Sequence, residues 1–439
     1  MHRPHRFAVA LAVSAAAAAA ALTAQAGPTA TAWTRVSGPT DPGVQLGLAR
    51  TADGVLHVVW NRGRTTTSIF DTRLSPAGKT TGTSTVASGF GGNGGLALLA
   101  MPDRTLRLFA AGAQTPAIDG INTFTAPETG ASWTLQSGVS WGGAVASASG
   151  TIGATLTRDA QPVTAWAGTA AEGVPPASIP QNGFVADQLD SHLATDAATG
   201  AVVLSGVTIA GKGGLFVQKV LPSPGPALVL PVPTVQDRGA SLSGRIGAAG
   251  VYVAYADGKA FSLYRYGGTS RTLATGPYTS AAVCAGPQGR LWLGWGDNND
   301  ELFVTRSNRA ASGFEPVQKL TLPQSTQNGL TFVQCEGSLG PLDLFAYVND
   351  KANAPGFWHT HVLAQFALRA TVAKTKTGAK VTLSARDAGD PVPGAAITVA
   401  GKHLKTDAKG QAVLALKAGS YAATAAATGY SPASVHFKV

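Results

Sequence analysis

Short stretches in which every second residue is apolar recur along the chain. In residues 286–307, "GPQGRLWLGWGDNNDELFVTRS", Leu291, Leu293 and Trp295 stand at alternate positions before a polar turn and a second such stretch. A period of two is typical of an extended strand, whose side chains point to opposite faces in turn. Outside residues 1–26 we find no helical spacing of apolar residues over three turns, so the pattern predicts an all-β protein.

The alternating strand recurs at intervals typical of a β-propeller. Taken two residues before each copy, the marks fall at residues 54, 104, 161, 200, 249, 289 and 340, in steps of 50, 57, 39, 49, 40 and 51 residues. Propeller blades repeat every ~40–50 residues, and each blade buries both faces against its neighbours. The spacing predicts a seven-bladed propeller over residues 27–364. A six-bladed ring is the alternative, if the weakest repeat, near residue 163 or 202, is an insertion.

The last repeat has no evident fourth strand before the C-terminal segment begins. The segment "TAWTRVSG", residues 31–38, precedes the first repeat and has no partner there. An unpaired strand edge leaves backbone donors and acceptors open, and closing the ring removes that edge. We therefore expect residues 31–38 to pair with the last repeat as its fourth strand.

The two cysteines occupy equivalent positions in adjacent repeats. Cys284 and Cys335 each lie five residues before the mark of their own repeat. Adjacent inner strands would bring the two side chains together, so we predict a disulfide between the last two blades. The alternative is a pair of buried free thiols, because cysteine often serves as a small apolar residue. Two lone cysteines do not make a metal site.

Residues 1–26 have the parts of a secretory signal peptide. A basic start is followed by an Ala-rich apolar stretch over residues 7–22 and by the small-x-small sequence Ala24-Gln25-Ala26. We expect cleavage before Gly27 and a secreted, extracellular protein. An uncleaved anchor is disfavoured because the stretch is short and alanine is weakly hydrophobic. No later stretch approaches the ~20 apolar residues that span a bilayer, so we predict no transmembrane segment.

Most of the positive charge lies in the C-terminal segment. The formal charge of +10 becomes +8 without Arg3 and Arg6, and residues 365–439 contribute +7 through eight Lys and two Arg against three Asp. The rest of the mature chain is therefore nearly neutral. Such lysines are ordinarily a solvated surface, and the alternative is a salt-dependent attraction to an anionic wall polymer or surface glycan. We predict a monomer with no nucleic-acid partner.

The stretch "APETGASWTL", from Ala126, resembles the Asp-box of sialidase-like propellers, Ser-x-Asp-x-Gly-x-Thr-Trp. Alanine replaces the serine, and the residues at the Asp, Gly, Thr and Trp places are Glu128, Gly130, Ser132 and Trp133. A poorer copy, "SNRAASGF", begins at Ser307. In that family the box is a turn at the blade edge, remote from the active site. The resemblance therefore implies a structural role for these four residues.

No catalytic set can be assigned from this resemblance. An active sialidase would need an early Arg-Ile-Pro motif, two further arginines, a Tyr/Glu nucleophile pair and an Asp acid/base. The nearest match to the motif, Arg245-Ile246-Gly247, lies in a later repeat and lacks the proline. A carboxylate pair for other glycosidase chemistry is equally unassigned. The catalytic residues of any such enzyme therefore stay unassigned, and we predict no cofactor.

Two stretches carry residue types that could bind a metal ion. His359 and His361 in "WHTH" share one face of a strand, but no third ligand stands nearby in the sequence, so we interpret them as a partly exposed pair. The acidic turn "GDNNDE", residues 296–301, lacks the longer, spaced loop that the oxygen ligands of Ca²⁺ require. We therefore predict no metal site.

Tryptophan is the aromatic residue best suited to stacking on sugar rings. Blade faces pack against other blades, so the tryptophans on the marked strands are predicted core residues: Trp60, Trp166, Trp292 and Trp295. The remaining candidates lie nearer to loops and are predicted ligand-stacking residues: Trp133, Trp141 and Trp358.

Residues 365–439 resemble the carboxypeptidase regulatory-like module. The matching sequence is "DPVPGAAITVAG" followed by "TDAKGQAVLALKAGSYAATAAATGYSP". The resemblance implies a small prealbumin-type, Ig-like β-sandwich without catalytic groups. From the residues themselves, Asp407 and Gly410 predict a turn before an alternating strand, and Tyr421 and Tyr430 are predicted core aromatics. The expected organisation is residues 1–26 as signal peptide, 27–364 as propeller and 365–439 as sandwich.

Two functions from different classes fit this organisation. The first is a secreted, non-catalytic propeller that binds a glycan, cell-wall polymer or protein through one mouth of its ring, with the basic sandwich as an accessory module. The alternative is a diverged sialidase-like glycoside hydrolase or lyase. One arginine, two carboxylates and a tyrosine in mutual contact at the channel mouth would favour the alternative.

Overall fold

The protein is built from β-strands, as the alternating pattern predicts. The computed structural model describes residues 32–40, 46–62, 67–91, 96–114, 118–136, 144–146, 151–156, 164–169, 179–180, 192–208, 214–230, 240–297, 301–322, 330–348, 355–376 and 378–439. Within these ranges the only helical element is a 3₁₀ turn at Pro287–Gly289. No helix in the described part of the chain has the length and hydrophobicity needed to cross a membrane.

Except for the second to ninth strands, which are joined into one sheet, the described strands up to residue 362 form antiparallel sheets of four strands. In chain order they are β1 (Trp33–Arg35), β2 (Gly47–Arg50), β3 (Leu56–Arg62), β4 (Thr67–Leu74), β5 (Thr80–Gly91), β6 (Leu96–Ala100), β7 (Thr105–Gln114), β8 (Ile118–Pro127), β9 (Thr134–Leu135), β10 (Ala144–Ala146), β11 (Thr151–Leu156), β12 (Thr164–Thr169), β13 (Ile179–Pro180), β14 (His192–Thr195), β15 (Val202–Thr208), β16 (Gly214–Leu221), β17 (Leu228–Leu230), β18 (Ala240–Arg245), β19 (Ala248–Ala256), β20 (Ala260–Arg265), β21 (Ser270–Thr275), β22 (Tyr278–Ala285), β23 (Leu291–Asp297), β24 (Glu301–Arg306), β25 (Gln318–Thr321), β26 (Leu330–Glu336), β27 (Leu342–Val348) and β28 (Gly356–Val362).

Successive groups of four strands have the arrangement of propeller blades. β2–β5, β6–β9, β10–β13, β14–β17, β18–β21 and β22–β25 follow one another, β5 also pairs with β7, and β26–β28 complete the series together with β1. The first strands of successive groups contact each other, as strands around a central axis must. The array is that of a β-propeller.

The N-terminal strand closes the ring, as predicted. β1 pairs with β28 in the register Trp33↔Thr360 and Arg35↔Trp358. The Trp33 indole donates a hydrogen bond of 2.7 Å to the carbonyl of Thr321 in the neighbouring blade. The last sheet therefore obtains its fourth strand from the start of the chain.

Both faces of the central strands are buried. All seven residues of β23 are buried, and the predicted core residues Trp292 and Trp295 are 0% and 1% exposed. Leu291, Leu293 and Trp295 pack on the β18–β21 blade, whereas Trp292 packs on the last blade. Trp60 is also buried, and the side chain of Trp166 lies outside the described residues. Burial on two sides explains why strands in the middle of each blade are almost continuously apolar.

The predicted disulfide is confirmed. Cys284 in β22 and Cys335 in β26 are bonded, with their Cα atoms 5.8 Å apart. β22 and β26 are the first strands of adjacent blades. The bond therefore ties the last two blades together close to the central axis.

Residues after 366 form two further four-stranded sheets, which we call the C-terminal sheet pair. Its strands are β29 (Ala367–Thr375), β30 (Gly378–Asp387), β31 (Asp390–Pro391), β32 (Ala396–Val399), β33 (Lys402–Lys405), β34 (Gln411–Leu416), β35 (Ser420–Ala426) and β36 (Ala433–Lys438). One sheet contains β29, β30, β31 and β34, and the other contains β32, β33, β35 and β36. Apolar residues of both sheets form one core, with Tyr421 and Tyr430 partly buried against it.

The predicted turn before β34 is present. The carboxylate of Asp407 accepts hydrogen bonds of 2.8 Å from the N–H groups of Lys409 and Gln411. Gly410 has φ +69°, and a Cβ there would lie 2.7 Å from the carbonyl of Ala385. Glycine is therefore required at this point by both backbone conformation and space.

The C-terminal sheet pair is joined to the propeller through buried charges. Arg306 of β24 is ion-paired with Asp387 at 2.5 Å and with Glu315 at 3.3 Å, and all three side chains are at most 4% exposed. Tyr430 donates to the same Asp387 oxygen at 2.8 Å. Burial raises the pKa of Glu315 well above its ordinary value, and the hydrogen bond with Asp387 raises it further.

The Glu315 pKa predicts a pH dependence of stability. The folded-state pKa exceeds the unfolded-state pKa, so the protonated carboxyl stabilises the fold at low pH, and this contribution is lost as the pH rises through the folded-state pKa. From about pH 5 upward, the free energy of unfolding should therefore fall more steeply for the wild type than for Glu315→Gln. Chemical denaturation across pH measures both slopes, with Glu301→Gln, an exposed carboxylate, as control. Parallel slopes for the wild type and Glu315→Gln would contradict the assignment.

Candidate functional site

The central channel of the ring is narrow and is lined by the first strands of the blades. A cavity of about 190 Å³ lies between the first strands of the blades and includes the polar residues His192, Ser241 and Gln334. Burial lowers the pKa of His192 to about 4, although a hydrogen bond with the Ala240 backbone opposes this. Gln334 accepts a 2.7 Å hydrogen bond from the N–H of Leu46 in the neighbouring blade. Among the lining residues that the structure describes, the channel therefore offers little room and no permanent charge.

A larger cavity opens at one end of the ring, where loops join the first and second strands of the blades. This mouth pocket has a volume of about 590 Å³. Its lining residues are Leu193, Ala194, Thr195, Asp196, Ala197, Gly200, Leu242, Ser243, Gly244, Arg245, Ile246 and Ala285. Small-molecule sites commonly occupy ~300–1,000 Å³ of concave surface. The mouth pocket has the size of a site for one or a few sugar units.

Two strands approach each other closely in the wall of the mouth pocket. A Cβ atom on Gly244 would lie 2.1 Å from the carbonyl oxygen of Thr195. No larger side chain fits at this position, so Gly244 fixes the spacing of β14 and β18. The wall is therefore shaped by the backbone as well as by side chains.

Arg245 is held rigidly in the pocket wall by backbone carbonyls. Its Nε donates to Gly289 at 2.6 Å, Nη1 donates to Ala249 at 2.8 Å, and Nη2 donates to the carbonyl of Arg309. All three partners are neutral carbonyl groups. A guanidinium has five N–H groups, of which three are engaged here, and Arg245 has no ion pair with a carboxylate among the described residues.

Asp196 lines the same pocket but is engaged by the backbone. Oδ1 accepts hydrogen bonds from the N–H groups of Ala198 at 2.9 Å and Thr199 at 3.3 Å, and Oδ2 accepts from Gly250 at 3.0 Å. Three N–H donors fix its orientation. Asp196 therefore shapes the loop between β14 and β15, and both of its oxygens are engaged by the backbone.

A charged cluster lies at the same end of the ring, where the last blade meets the first. Arg50 is ion-paired with Glu336 and with Asp343, and its Nη1 donates to the carbonyl of Gly54 at 2.8 Å. His359 and His361 both contact Oδ1 of Asp343, at 2.8 and 2.9 Å. The cluster thus combines one guanidinium, two carboxylates and two imidazoles.

This charged cluster is largely closed to solvent. The side chains of Arg50, Asp343 and His359 are 6%, 2% and 2% exposed, whereas His361 reaches 22%. Burial by itself would raise the pKa of Asp343, but hydrogen bonds from the two histidines and the charge of Arg50 hold it well below its ordinary value. The cluster therefore keeps a permanently ionised carboxylate at the seam of the ring.

The interpretation of the two histidines as a partly exposed pair is wrong for His359. Because β28 lies between β27 and β1, His359 is covered on both sides and turns toward Asp343. No group of three His, Cys, Asp or Glu side chains suited to a metal ion occurs in the described part of the chain. Asp297, at the start of the acidic turn, is buried, and residues 298–300 lie outside the described residues.

The turn that resembles an Asp-box lies between the first two blades. Glu128 accepts hydrogen bonds of 2.6 Å from the N–H of Ala52 in the neighbouring blade and from Nε of Arg104. Gly130 has φ +64°, and a Cβ there would lie 2.5 Å from Asp71. Ser132 is exposed. These contacts join the turn to the first blade.

The poorer copy shares one backbone feature with this turn. Ala311, at the glycine place of "SNRAASGF", has φ +55°, close to the +64° of Gly130. Ser307 and Phe314 at the ends of the stretch form a β-bridge. A left-handed alanine is uncommon, so its presence at the glycine place is compatible with the resemblance, which stays a prediction.

The predicted stacking tryptophans are at most partly accessible where the structure describes them. Trp133 packs against the core of the first two blades, and Trp358 packs between the last two blades. The indole N–H of each is buried without a hydrogen-bond partner. Trp141 lies outside the described residues. A role in ligand stacking for the three residues stays a prediction.

Comparison with known proteins shows a likeness in structure alone. No protein-family model matches the chain, and no curated protein is similar to it in sequence. The BP39L lectin from Burkholderia pseudomallei superposes with a TM-score of 0.53 at 15% identity, over 74% of this chain and 95% of the lectin. At this identity the likeness supports the propeller fold and carries no information on the ligand.

Other solved structures are more distantly similar. The polysaccharide lyase Uly1 has a TM-score of 0.47 at 12% identity, over 72% of this chain and 89% of the lyase. The Aleuria aurantia lectin AAL, in complex with Fucalpha1-6GlcNAc, has a TM-score of 0.39 at 12% identity, over 79% of this chain and 97% of the lectin.

Proposed function

We propose that the protein is a secreted, non-catalytic β-propeller that binds a glycan in the mouth pocket. The ring has seven blades in this proposal, because β10–β13 and β14–β17 are separate four-stranded sheets and neither is a short insertion in another blade. Residues 27–364 form the propeller, and residues 365–439 form an accessory sandwich related to the carboxypeptidase regulatory-like module. The signal-like residues 1–26 support the extracellular location.

The observation that carries the proposal is the guanidinium of Arg245, which backbone carbonyls fix in the wall of a pocket of about 590 Å³ and which has no carboxylate partner in the described part of the chain. Arginine recognises carboxylates and tetrahedral oxyanions such as phosphate through paired N–H groups, and immobilising it beforehand lowers the entropic cost of binding. Ile246, which is 41% exposed beside it, offers an apolar surface to the C–H groups of a sugar ring. These features fit an anionic glycan that bears carboxylate or sulfate groups.

The pocket offers weak support for chemistry on the bound sugar. Asp196 is the one carboxylate among the described lining residues, and its oxygens already accept three backbone N–H groups. Glycoside hydrolysis by the common mechanisms needs two carboxyl groups on opposite sides of the bond. Binding without turnover is therefore the function that this pocket supports best.

Substitution of Arg245 tests the proposal. Arg245→Gln should weaken binding of oligogalacturonates or sulfated oligosaccharides by at least about tenfold, because a charge-assisted hydrogen-bond pair contributes ~1.5–3 kcal/mol. Calorimetric titration with acidic and neutral oligosaccharides of equal length measures the difference. Arg369→Gln, an exposed arginine of β29, removes the same charge far from the pocket and should leave the affinity unchanged. Equal affinities for wild type and Arg245→Gln would refute the assignment of the pocket.

The charged cluster at the ring seam supports one alternative, a diverged glycoside hydrolase or lyase. One arginine and two carboxylates stand together there, as expected for such an enzyme, with two histidines in the place of a tyrosine. New reducing ends or unsaturated products from the same acidic glycans, abolished by His361→Ala, would favour this alternative over binding alone.

A further inference from the structure

One loop connects the mouth pocket to the C-terminal sheet pair. We call residues 307–317, between β24 and β25, the bridging loop. The two backbone groups of Arg309 in this loop have partners on opposite sides: its carbonyl accepts from Nη2 of Arg245, and its N–H donates to Oδ2 of Asp390 at 2.8 Å. A single residue therefore contacts both the pocket wall and the C-terminal sheet pair.

Asp390 is itself held in place. Its Oδ2 lies 2.8 Å from Nη2 of Arg290, which also lies 3.2 Å from Asp387. Arg290 donates a further 3.0 Å bond to the carbonyl of Ser307, at the start of the bridging loop. The side chain of Arg290 is 5% exposed, so these contacts are sheltered from solvent. The carboxylate of Asp390 is thus a fixed acceptor for the N–H of Arg309.

The bridging loop is packed closely against the C-terminal sheet pair at a second point. A Cβ atom on Gly313 would lie 3.1 Å from the carbonyl of Ala388. On its other side, the loop accepts a 2.7 Å hydrogen bond from Arg271 of β21 at the Ser312 carbonyl. The loop therefore lies between the β18–β21 blade and the C-terminal sheet pair.

We infer that the C-terminal sheet pair positions the Arg245 wall of the mouth pocket. Asp390 is the positioning residue, and it acts through the backbone of Arg309. This inference rests on the proposed function of the pocket. Without the acceptor at Asp390 the N–H of Arg309 loses its partner, and the carbonyl of the same residue, one of the three partners of the Arg245 guanidinium, is held less firmly. Binding of an anionic glycan must then include the cost of ordering both groups.

Two substitutions of Asp390 separate positioning from charge. Asp390→Ala removes the acceptor and the charge, whereas Asp390→Asn removes the charge and keeps an oxygen acceptor. We expect Asp390→Ala to weaken binding of the acidic oligosaccharides by about tenfold and Asp390→Asn to retain most of the affinity. Removing a negative charge alone would strengthen anion binding. Unchanged or tighter binding by Asp390→Ala would therefore overturn the inference. Glu301→Gln, in the blade that carries the bridging loop, is the charge control.

A second pair of variants acts on the propeller side of the contact. Arg309 is the second residue of the turn that the hydrogen bond from Ala311 N to Asn308 O closes, a place that favours proline. Arg309→Pro removes the N–H and keeps the carbonyl, and Arg309→Ala removes the side chain alone. Weaker binding by Arg309→Pro than by Arg309→Ala supports the inference, and equal affinities contradict it.

A measurement without glycan keeps the inference testable if the wild type binds none of these sugars. The rate of Arg245 modification by phenylglyoxal, followed by peptide mass spectrometry, should rise severalfold in Asp390→Ala and Arg309→Pro. It should stay at the wild-type value in Glu301→Gln and Arg309→Ala. If no glycan binds but Arg245 is labelled faster in Asp390→Ala and Arg309→Pro, the proposed function is refuted, whereas the coupling between Asp390 and Arg245 is supported. Unchanged labelling in folded Asp390→Ala, with folding verified by its melting temperature, would refute the coupling.

Discussion

A chain that lacks residues 32–38 is expected to lose most of the stability of the propeller. The deletion removes the pairing of β1 with β28 and the hydrogen bonds between Val36 N and Phe357 O at 3.0 Å and between Phe357 N and Ser37 Oγ at 2.7 Å. It also removes Val36 from the core formed with Leu56 and Trp60. Backbone hydrogen bonds contribute ~1 kcal/mol each and a large core side chain ~2–5 kcal/mol, so the loss should exceed about 5 kcal/mol.

The measurement is chemical denaturation of the shortened and complete chains, with binding of a hydrophobic dye as a probe of the opened seam. A chain that ends at residue 364 is the comparison, because it keeps the ring and loses the C-terminal sheet pair. We expect a smaller loss of stability in that chain, arising because Arg290 and Arg306 lose their ion pairs with the C-terminal sheet pair. A shortened chain without residues 32–38 that is as stable as the complete chain would show that β1 is dispensable for the ring.

Arg306→Ala is expected to destabilise the protein by about 3–5 kcal/mol, because its removal leaves the buried carboxylate of Asp387 with the longer, 3.2 Å contact to Arg290 as its remaining ion pair among the described residues. Asp387 would lose the 2.5 Å contact with Arg306, and its own side chain is 0% exposed. The guanidinium also lies 5.2 Å from the ring centre of Trp292 and 5.0 Å from that of Tyr430, and these cation–π contacts disappear as well.

Lys319→Ala is the matched control for this substitution. It breaks an ion pair with Glu301 in the same blade, but the two side chains are 60% and 41% exposed. Exposed pairs contribute only ~0–1 kcal/mol. Calorimetric and denaturant unfolding should therefore separate the two variants clearly. Equal losses of stability in the two variants would mean that water reaches Arg306 and Asp387 and already screens their charges.

The features that a local repeat determines could be predicted from the sequence. The alternation of Leu291, Leu293 and Trp295 identified a strand because burial on a sheet face requires a period of two. Its recurrence predicted the propeller, and equivalent positions of Cys284 and Cys335 predicted their disulfide. Each of these inferences uses residues within one repeat or at matching places in two repeats.

The mouth pocket and the buried ion pairs between the propeller and the C-terminal sheet pair could not be predicted in the same way. Asp196, Arg245 and Ala285 come from three repeats, and the arginine attracted notice only as a poor copy of a motif. The net charge of residues 365–439 was misleading. It counts Asp387 among the solvated charges of a basic segment, although Asp387 is buried against Arg306. Polar residues at the ends of the strands that precede the marked strands, such as Arg50 and Glu336, are the signal that could have located the ring seam.

Closure of the ring by β1 has a consequence for the order of events in folding. The hydrogen bond between Phe357 and Ser37 joins positions 320 residues apart. Contacts of such high sequence separation form slowly, because the loop entropy must be overcome before they stabilise the fold. A newly made chain therefore keeps β1 and β28 unpaired until the last blade exists, and during that interval each is an open edge on which another chain can assemble.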